Sequence, residues 1–185
     1  MKKVLFFLAA MLMIPMVHAA PEFKELEFFS YYCPHCAKFE PIAADLKKNL
    51  PEGVPMKKNP VAFLGREMGP EMQRAYAVAS LLNVEGKLTP AIFDKIHTQR
   101  QYPQSRTDVK QIFVDNGVPA EEFDGAVDSF AVSGMVSQFD RNTESYNIRG
   151  VPAFLVNGKY MVKIESITSQ EQFNQLVKFL LAKKD

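Results

Sequence analysis

The chain has 185 residues and only two cysteines, and its 22 basic and 21 acidic residues give a formal net charge of +1. This length is one domain's worth of sequence and can bury a sizeable core without disulfide staples. The near-neutral charge, with no stripe of lysine and arginine, gives no support to a nucleic-acid partner.

The first nineteen residues have the pattern of a removable export signal. Lys2 and Lys3 form a basic start, residues 4–14 form an apolar run, and Val17-His18-Ala19 supplies a site for a signal peptidase. We expect cleavage after Ala19, which leaves a soluble mature chain of 166 residues and removes two lysines and no acid, so that the formal net charge becomes −1. An uncleaved membrane anchor is the alternative, but the run is short for a bilayer span.

Strand and helix alternate around the two cysteines. Residues 26–30 are a short apolar run, typical of a buried strand, that leads directly into the cysteines. Pro34 is well placed as the first residue of a helix, and Pro41 is expected to kink that helix. The apolar residues at helical spacing are Cys36, Phe39, Ala43, Leu46 and Leu50. A second strand is predicted from Pro55 to Leu64.

From about residue 66 to residue 146 the pattern is helical. Helices are predicted around residues 71–82, 90–97 and 133–146, with two more between them. The first of these is capped by Ser105 and ends at Asn116-Gly117, and its apolar face is Val109, Ile112 and Phe113. The second begins at Pro119, and its apolar side is Phe123, Val127 and Phe130. We interpret the Met and Phe residues of this region as core; a peptide-binding patch is the alternative.

Strands return near the C-terminus. Residues 153–156 and 160–164 flank Asn157-Gly158, a strong signal for a two-residue hairpin turn. Ser169 to Gln172 form a capping box before a final helix, whose apolar face is Phe173, Leu176, Val177, Leu180 and Leu181. The order of elements predicts an α/β sheet with an all-helical insertion.

The motif Cys33-Pro34-His35-Cys36 carries the chemistry. An exported chain with one such pair and no other thiol is suited to redox chemistry rather than to a disulfide framework. A helix N-terminus favours the thiolate of Cys33, and His35 can add a hydrogen bond or a positive charge to the same sulfur. Cys36 lies within disulfide reach but is turned into the protein. A stable thiolate makes the disulfide easy to reduce, which favours a disulfide donor.

Other interpretations of the pair are weaker. A zinc site needs four ligands, and the mature chain offers only the two cysteines, His35 and the distant His97. A structural disulfide that closes so short a loop would stabilise little. A disulfide isomerase or reductant, and a non-enzymatic peptide-binding holdase, stay open as alternatives. A dimerisation domain would favour the isomerase, and the sequence shows none. We expect no metal and no cofactor, and we expect a monomer.

These motifs together resemble the DsbA family of periplasmic thiol:disulfide oxidoreductases, from Leu26 to the C-terminus. The resemblance is carried by the cysteine motif after residues 28–32, by the helical insertion, and by residues 150–154 before the hairpin. It implies a thioredoxin fold in which residues 20–64 and 147–185 form the thioredoxin-like domain and residues 65–146 form the helical insertion. It also implies a cis Val151-Pro152 peptide that faces the disulfide and pairs with an extended substrate.

The resemblance further implies substrates, a partner and a group that tunes pKa values. Reduced secreted proteins would be oxidised in the periplasm, and the membrane quinone-linked oxidase DsbB would restore the disulfide. Glu27, Glu40 and Lys58 match a buried charged group in the family that could shift the proton balance around Cys36; for Glu40 and Lys58, a solvated side chain is the alternative. The chain departs from the family in two places: the family's edge strand before Leu26 is expected to be missing, and Pro60 stands where the family often has His.

Overall fold

The computed structural model describes residues 25–183, so the predicted export signal, residues 1–19, lies outside the described chain. A mixed sheet of four strands forms the centre, in the order β2-β1-β3-β4. The strands are β1 (Glu25–Phe29), β2 (Met56–Pro60), β3 (Ala153–Val156) and β4 (Tyr160–Val162). β1 pairs with β2 in parallel and with β3 antiparallel, and β3 pairs with β4 antiparallel. Within residues 25–183, β2 therefore forms one edge of the sheet.

Helices cover the sheet and fill the connection between β2 and β3. The α-helices are α1 (Pro34–Asn49), α2 (Met68–Leu81), α3 (Glu85–Phe93), α4 (Arg106–Asp115), α5 (Ala120–Val127), α6 (Phe130–Ser145) and α7 (Gln170–Ala182). A π-helix (Asp94–Thr98) continues α3, and a 3-10 turn (Ile164–Ser166) precedes α7. We call α2 to α6, with the π-helix, the helical block. Among the residues described, no helix is long and apolar enough to cross a membrane.

Both faces of the sheet are covered, which explains why β1 is apolar. Phe154 on β3 pairs with Glu27 on β1, so these two side chains lie on the same face. Helices α1 and α7 cover that face through the cluster Phe39, Ala43, Leu46, Phe154, Val156, Phe173 and Val177. On the other face a second cluster contains Leu26, Phe28, Val61, Ile148 and Leu155. Glu27 is thus an acid placed inside an apolar layer.

The helical block packs directly against the segment that precedes the cysteines. Phe29, the last residue of β1, contacts Tyr31 and Tyr76 edge to face, with ring centroids 5.2 and 5.3 Å apart. Tyr31 contacts Phe93 of α3, with centroids 5.1 Å apart. These rings bury large apolar areas. The core of the helical block therefore extends to within two residues of Cys33.

Several local signals are confirmed. Ser105 and Ser169 cap α4 and α7, each accepting a backbone N–H at 3.2 Å. The β3–β4 hairpin turns at Asn157 and Gly158, whose positive φ angles of 54° and 64° are as predicted, but three residues rather than two connect the strands, because Val156 pairs with Tyr160. The capping box is only half formed, because the side chain of Gln172 accepts from the backbone of Thr168 rather than from that of Ser169.

Some predicted boundaries and one predicted core residue were wrong. β2 ends at Pro60 instead of Leu64, because residues 62–65 already bend away from the strand and lead through Gly65 (φ 89°) into α2. α3 begins at Glu85 and contains Pro90 in its interior, whereas the sequence placed the helix start at Pro90. Phe130 does not continue the apolar face of α5, because Ser129 caps a new helix there, and Phe130 is 95% exposed.

Candidate active site

The strand β1 delivers Cys33 to the N-terminus of α1. A turn follows the strand, in which the backbone N–H of Cys33 donates to the carbonyl of Ser30 at 3.0 Å. Cys33 is the N-cap of α1, and its sulfur accepts the backbone N–H of Cys36 at 3.1 Å. Pro34 occupies the first helical position, where its missing N–H has no cost. The helix N-terminus is thereby aimed at one sulfur.

The two sulfurs have opposite environments. Both cysteines are free thiols; Cys33 is 4% exposed and Cys36 is 0% exposed. A hydrogen bond from the thiol of Cys36, assisted by the backbone N–H groups of Cys36 and His35, lowers the pKa of Cys33 from its ordinary 9.0 to about 7, against the opposing effect of burial. The same thiol–thiol hydrogen bond, together with burial, raises the pKa of Cys36 far above its ordinary value. Cys33 is therefore the sulfur that ionises and that a substrate can reach.

His35 reaches Cys33 through its backbone. Its N–H contributes to lowering the pKa of Cys33, while its side chain is exposed. In the part of the chain that the structure describes, the imidazole makes no hydrogen bond with the sulfur of Cys33. The predicted hydrogen bond from the imidazole is therefore not formed in this thiol state, and the contribution of its positive charge to the thiolate stays a prediction.

The Val151-Pro152 segment lies beside Cys33, although 118 residues separate the two in sequence. The peptide bond between Val151 and Pro152 is cis. The thiol of Cys33 donates to the carbonyl of Val151 at 3.3 Å. Both residues are half-buried, so that their backbone borders the reactive sulfur at the protein surface.

Glu27, Lys58 and Glu40 lie together on the α1 side of the sheet. Lys58 is the register partner of Glu27 on β2, and its Nζ lies 3.1 Å from Glu27 Oε2 and also donates to Glu40 Oε1. Among residues 25–183, neither oxygen of Glu27 has a partner in hydrogen-bond geometry. Glu27 and Lys58 therefore form an ion pair without a well-directed hydrogen bond.

This arrangement holds Glu27 near the midpoint of its titration at neutral pH. Burial raises the pKa of Glu27 from 4.5 to about 7, although the charge of Lys58 opposes the rise. Burial lowers the pKa of Lys58, but the charges of Glu27 and Glu40 outweigh burial and raise it. The negative charge of Glu27 also adds to the raised pKa of Cys36. The three residues that match the family's buried charged group thus lie together in one cluster.

A cavity borders the Lys58 and Glu40 side of this cluster. It measures about 800 Å³ and is lined by Glu40, Lys58 and Asn59 beside residues of the helical block. Lys58 and Glu40 keep 20% and 21% of their side chains exposed, against 0% for Glu27. Lys58 and Glu40 thus lie between the buried carboxyl of Glu27 and solvent. In the described part of the chain, no three metal-ligating side chains converge.

The site and the fold together define a class of protein. A dithiol at a helix N-terminus, with one activated and one buried sulfur, beside a cis-proline and on a mixed sheet, is the arrangement of a thioredoxin-fold dithiol–disulfide oxidoreductase.

Comparisons with known proteins narrow the class to a family. Residues 26–178 match the family described as DSBA-like thioredoxin domain. The thiol:disulfide interchange protein DsbA of Pectobacterium carotovorum subsp. carotovorum is 43% identical over 175 residues, which cover 90% of this chain and 84% of the relative. DsbA of Salmonella typhimurium is 40% identical over 174 residues, covering 89% and 83%. The chain belongs to the DsbA family.

Solved structures agree with this assignment. A complex of Proteus mirabilis DsbA with a non-covalently bound peptide, PWATCDS, superposes with a TM-score of 0.84 at 36% identity, covering 89% of this chain and 91% of that chain. The crystal structure of the P. mirabilis disulfide oxidoreductase alone gives 0.81 at 39% identity, covering 90% and 91%. The predicted thioredoxin fold with a helical insertion is confirmed, and the chain is a thiol:disulfide oxidoreductase that acts as a disulfide donor.

Proposed function

We propose that Cys33 and Cys36 form the disulfide that is donated to cysteine pairs of newly exported proteins. A substrate thiolate attacks the sulfur of Cys33; the Cys33–Cys36 bond breaks and Cys36 leaves with the electron pair and takes up a proton. The substrate's second thiolate then attacks the substrate sulfur that is bonded to Cys33. This step forms the substrate disulfide and expels Cys33 as a thiolate. Two electrons thereby pass from the substrate dithiol to the enzyme.

The observation that carries this proposal is the different placement of the two sulfurs: Cys33 is the N-cap of α1 and its sulfur accepts the backbone N–H of Cys36 at 3.1 Å, whereas Cys36 is 0% exposed. With a pKa of about 7, Cys33 is roughly half thiolate at neutral pH. A thiolate with a low pKa is a good leaving group, which speeds the second exchange. Stabilisation of the Cys33 thiolate also favours the dithiol form, and hence electron flow from substrate to enzyme. Pro34 supports this by starting α1 immediately after Cys33.

Val151 and Pro152 are proposed to bind the substrate strand. The carbonyl of Val151 already lies 3.3 Å from the sulfur of Cys33, so a peptide paired with this backbone would hold its own sulfur next to Cys33. A cysteine-to-serine variant of the P. mirabilis relative binds a cysteine-containing peptide non-covalently. For this chain we infer that an extended substrate segment binds by main-chain pairing, which gives affinity without strong sequence preference.

Glu27, Lys58 and Glu40 are proposed to tune the proton balance of Cys36. Cys36 must lose its proton when the disulfide is restored, and it must gain one when substrate is oxidised. Glu27, with a pKa of about 7, can accept or return a proton near neutral pH. Lys58 and Glu40, which line the cavity, connect Glu27 with solvent.

The finer features of the biology are proposals as well. We propose that the mature chain works as a monomer in the periplasm and that DsbB reoxidises it. We also propose the division into a thioredoxin-like domain, residues 20–64 and 147–185, and a helical insertion, residues 65–146. The connectivity supports this division, because the helical block lies between β2 and β3.

The direct test is oxidation of a reduced peptide with two cysteines by a stoichiometric amount of the oxidised mature chain. We expect one substrate disulfide per enzyme disulfide, together with accumulation of enzyme dithiol. A scrambled-disulfide protein serves as the second substrate. Faster repair of the scrambled substrate than oxidation of the dithiol peptide would contradict the proposal and indicate an isomerase.

A further inference from the structure

The two residues before Cys33 are tied to the helical block by three hydrogen bonds. The hydroxyl of Tyr31 bonds Thr89 Oγ1 of α3 at 3.1 Å. The hydroxyl of Tyr32 donates to the carbonyl of Pro103 at 3.1 Å. The carbonyl of Tyr31 lies 2.8 Å from Nε2 of His97, and since a carbonyl can only accept, the imidazole of His97 is the donor.

The bond from His97 fixes a peptide plane that adjoins the nucleophile. The carbonyl of Tyr31 and the N–H of Tyr32 belong to one rigid peptide unit, and the N–H of Tyr32 lies 3.2 Å from Ser30 Oγ. The next N–H, that of Cys33, donates to the Ser30 carbonyl at 3.0 Å. The peptide is thus held on one side by Ser30 and on the other by His97. Cys33 follows directly, so its position depends on this plane.

The position of His97 is set by an unusual piece of helix. His97 is the fourth residue of the π-helix Asp94–Thr98, which continues α3 without a break. π-helical turns are rare and occur frequently at functional sites. The ring of His97 also packs on Phe93, with centroids 6.0 Å apart, and Phe93 contacts Tyr31. The π-turn therefore brings the imidazole to the backbone of Tyr31.

We propose that His97 is a positioning residue for Cys33: its hydrogen bond to the Tyr31 carbonyl holds the turn that places the Cys33 sulfur on the backbone N–H of Cys36. Tyr31 is 1% exposed, so loss of the donor leaves a buried carbonyl without a partner, and the turn must move to satisfy it. Movement of the turn lengthens the 3.1 Å contact between the Cys36 N–H and the Cys33 sulfur. The inference rests on Cys33 being the nucleophile.

The test compares His97→Leu, which removes the donor, with His97→Gln, which keeps an N–H donor. Thiolate absorbance of the reduced enzyme is titrated against pH, and the disulfide is equilibrated with glutathione buffers. We expect His97→Leu to lower the acid dissociation constant of Cys33 roughly threefold to tenfold, which is the effect of one weakened charge-assisted hydrogen bond. We expect the equilibrium constant for oxidation of glutathione by the disulfide to fall by a similar factor. We expect His97→Gln to recover at least half of the change.

The control is Ile112→Ala, which opens the core of the helical block at a residue that is 1% exposed on α4. It should lower the free energy of unfolding and leave the Cys33 titration unchanged. If His97→Leu does not fold, His97→Phe replaces it, because the phenyl ring keeps the contact with Phe93. An unchanged titration in the folded variant, an equal shift in Ile112→Ala, or an equal shift in His97→Gln would each overturn the role of His97. Wild-type Cys33 titrating near 9.0 would instead contradict the proposed nucleophile.

Discussion

Replacement of Glu27 by Gln tests whether a buried carboxyl near Cys36 really titrates close to neutrality. Glu27 is fully buried, and burial raises its pKa from 4.5 to about 7. The folded state therefore binds this proton more tightly than the unfolded state does. The resulting stabilisation is fully present below pH 4.5 and is lost as the pH rises through 7. Each pKa unit corresponds to 1.36 kcal/mol, so the change amounts to about 3 kcal/mol.

The assay is denaturant unfolding of the reduced wild type and of Glu27→Gln between pH 4.5 and pH 8. We expect the wild type to lose about 3 kcal/mol relative to the variant across this range. Cys33 titrates in both proteins and therefore cancels in the difference. Lys58 keeps Glu40 as a partner in the variant. Glu171→Gln, at an exposed position in the first turn of α7, is the matched control for removal of a surface carboxylate.

A constant difference between wild type and Glu27→Gln from pH 4.5 to pH 8 would refute the reasoning. It would mean that Lys58 holds Glu27 ionised in spite of burial. Glu27 could then not exchange a proton with Cys36 near neutral pH, and the proposed role of the cluster would fail.

The remaining predictions concern the cysteine motif. Cys33→Ser is expected to reduce dithiol oxidation at least ~1000-fold, because the accessible sulfur is gone; oxidation of a two-cysteine peptide measures this, and retained turnover would contradict the assignment. Cys36→Ser is expected to accumulate mixed disulfides through Cys33, visible as covalent complexes on non-reducing gels, because no second enzyme thiol is left to resolve them; absence of complexes would argue against Cys33 as the exchanging sulfur. His35→Ser is expected to raise the pKa of Cys33 and to make the disulfide less oxidising, because it removes a donor next to the thiolate; a thiolate-absorbance titration without an upward shift would remove the side chain of His35 from the mechanism.

Local chemistry explains which elements the sequence could predict. Pro34 after Cys33, Asn157-Gly158 in the hairpin, and Ser105 and Ser169 at helix starts each fix the backbone within three or four residues. Their outcomes depend little on the rest of the fold. The cysteine motif and its position at a helix N-terminus were predictable for the same reason.

Contacts between distant residues explain what the sequence did not predict. In the sequence, Phe130 continues the helical spacing of the apolar residues Phe123 and Val127. In the structure, Ser129 caps a new helix, and the ring of Phe130 is exposed to solvent. Pro90 predicts a helix start, yet α2 ends at Leu81 and the chain turns at Asn83, which has a positive φ of 57°, so α3 begins earlier, at Glu85. The link between His97 and Tyr31 spans 66 residues and has no local signature. A histidine in this region suggested at most a distant metal ligand.

The asymmetry between the two sulfurs follows from the direction of α1 and from the layers around it. Three residues separate Cys33 at the helix N-terminus, where backbone N–H groups converge, from Cys36, which is buried in the core cluster that Phe29 shares with the helical block. Cys33 receives hydrogen bonds from the helix end, whereas Cys36 receives burial and the negative charge of Glu27. The same sequence spacing that permits a disulfide thus assigns different pKa values to its two ends. A substrate therefore meets the sulfur of Cys33, which is the better leaving group. The sulfur of Cys36 keeps its proton and stays buried on the side of Glu27, the one buried carboxyl of the described sheet.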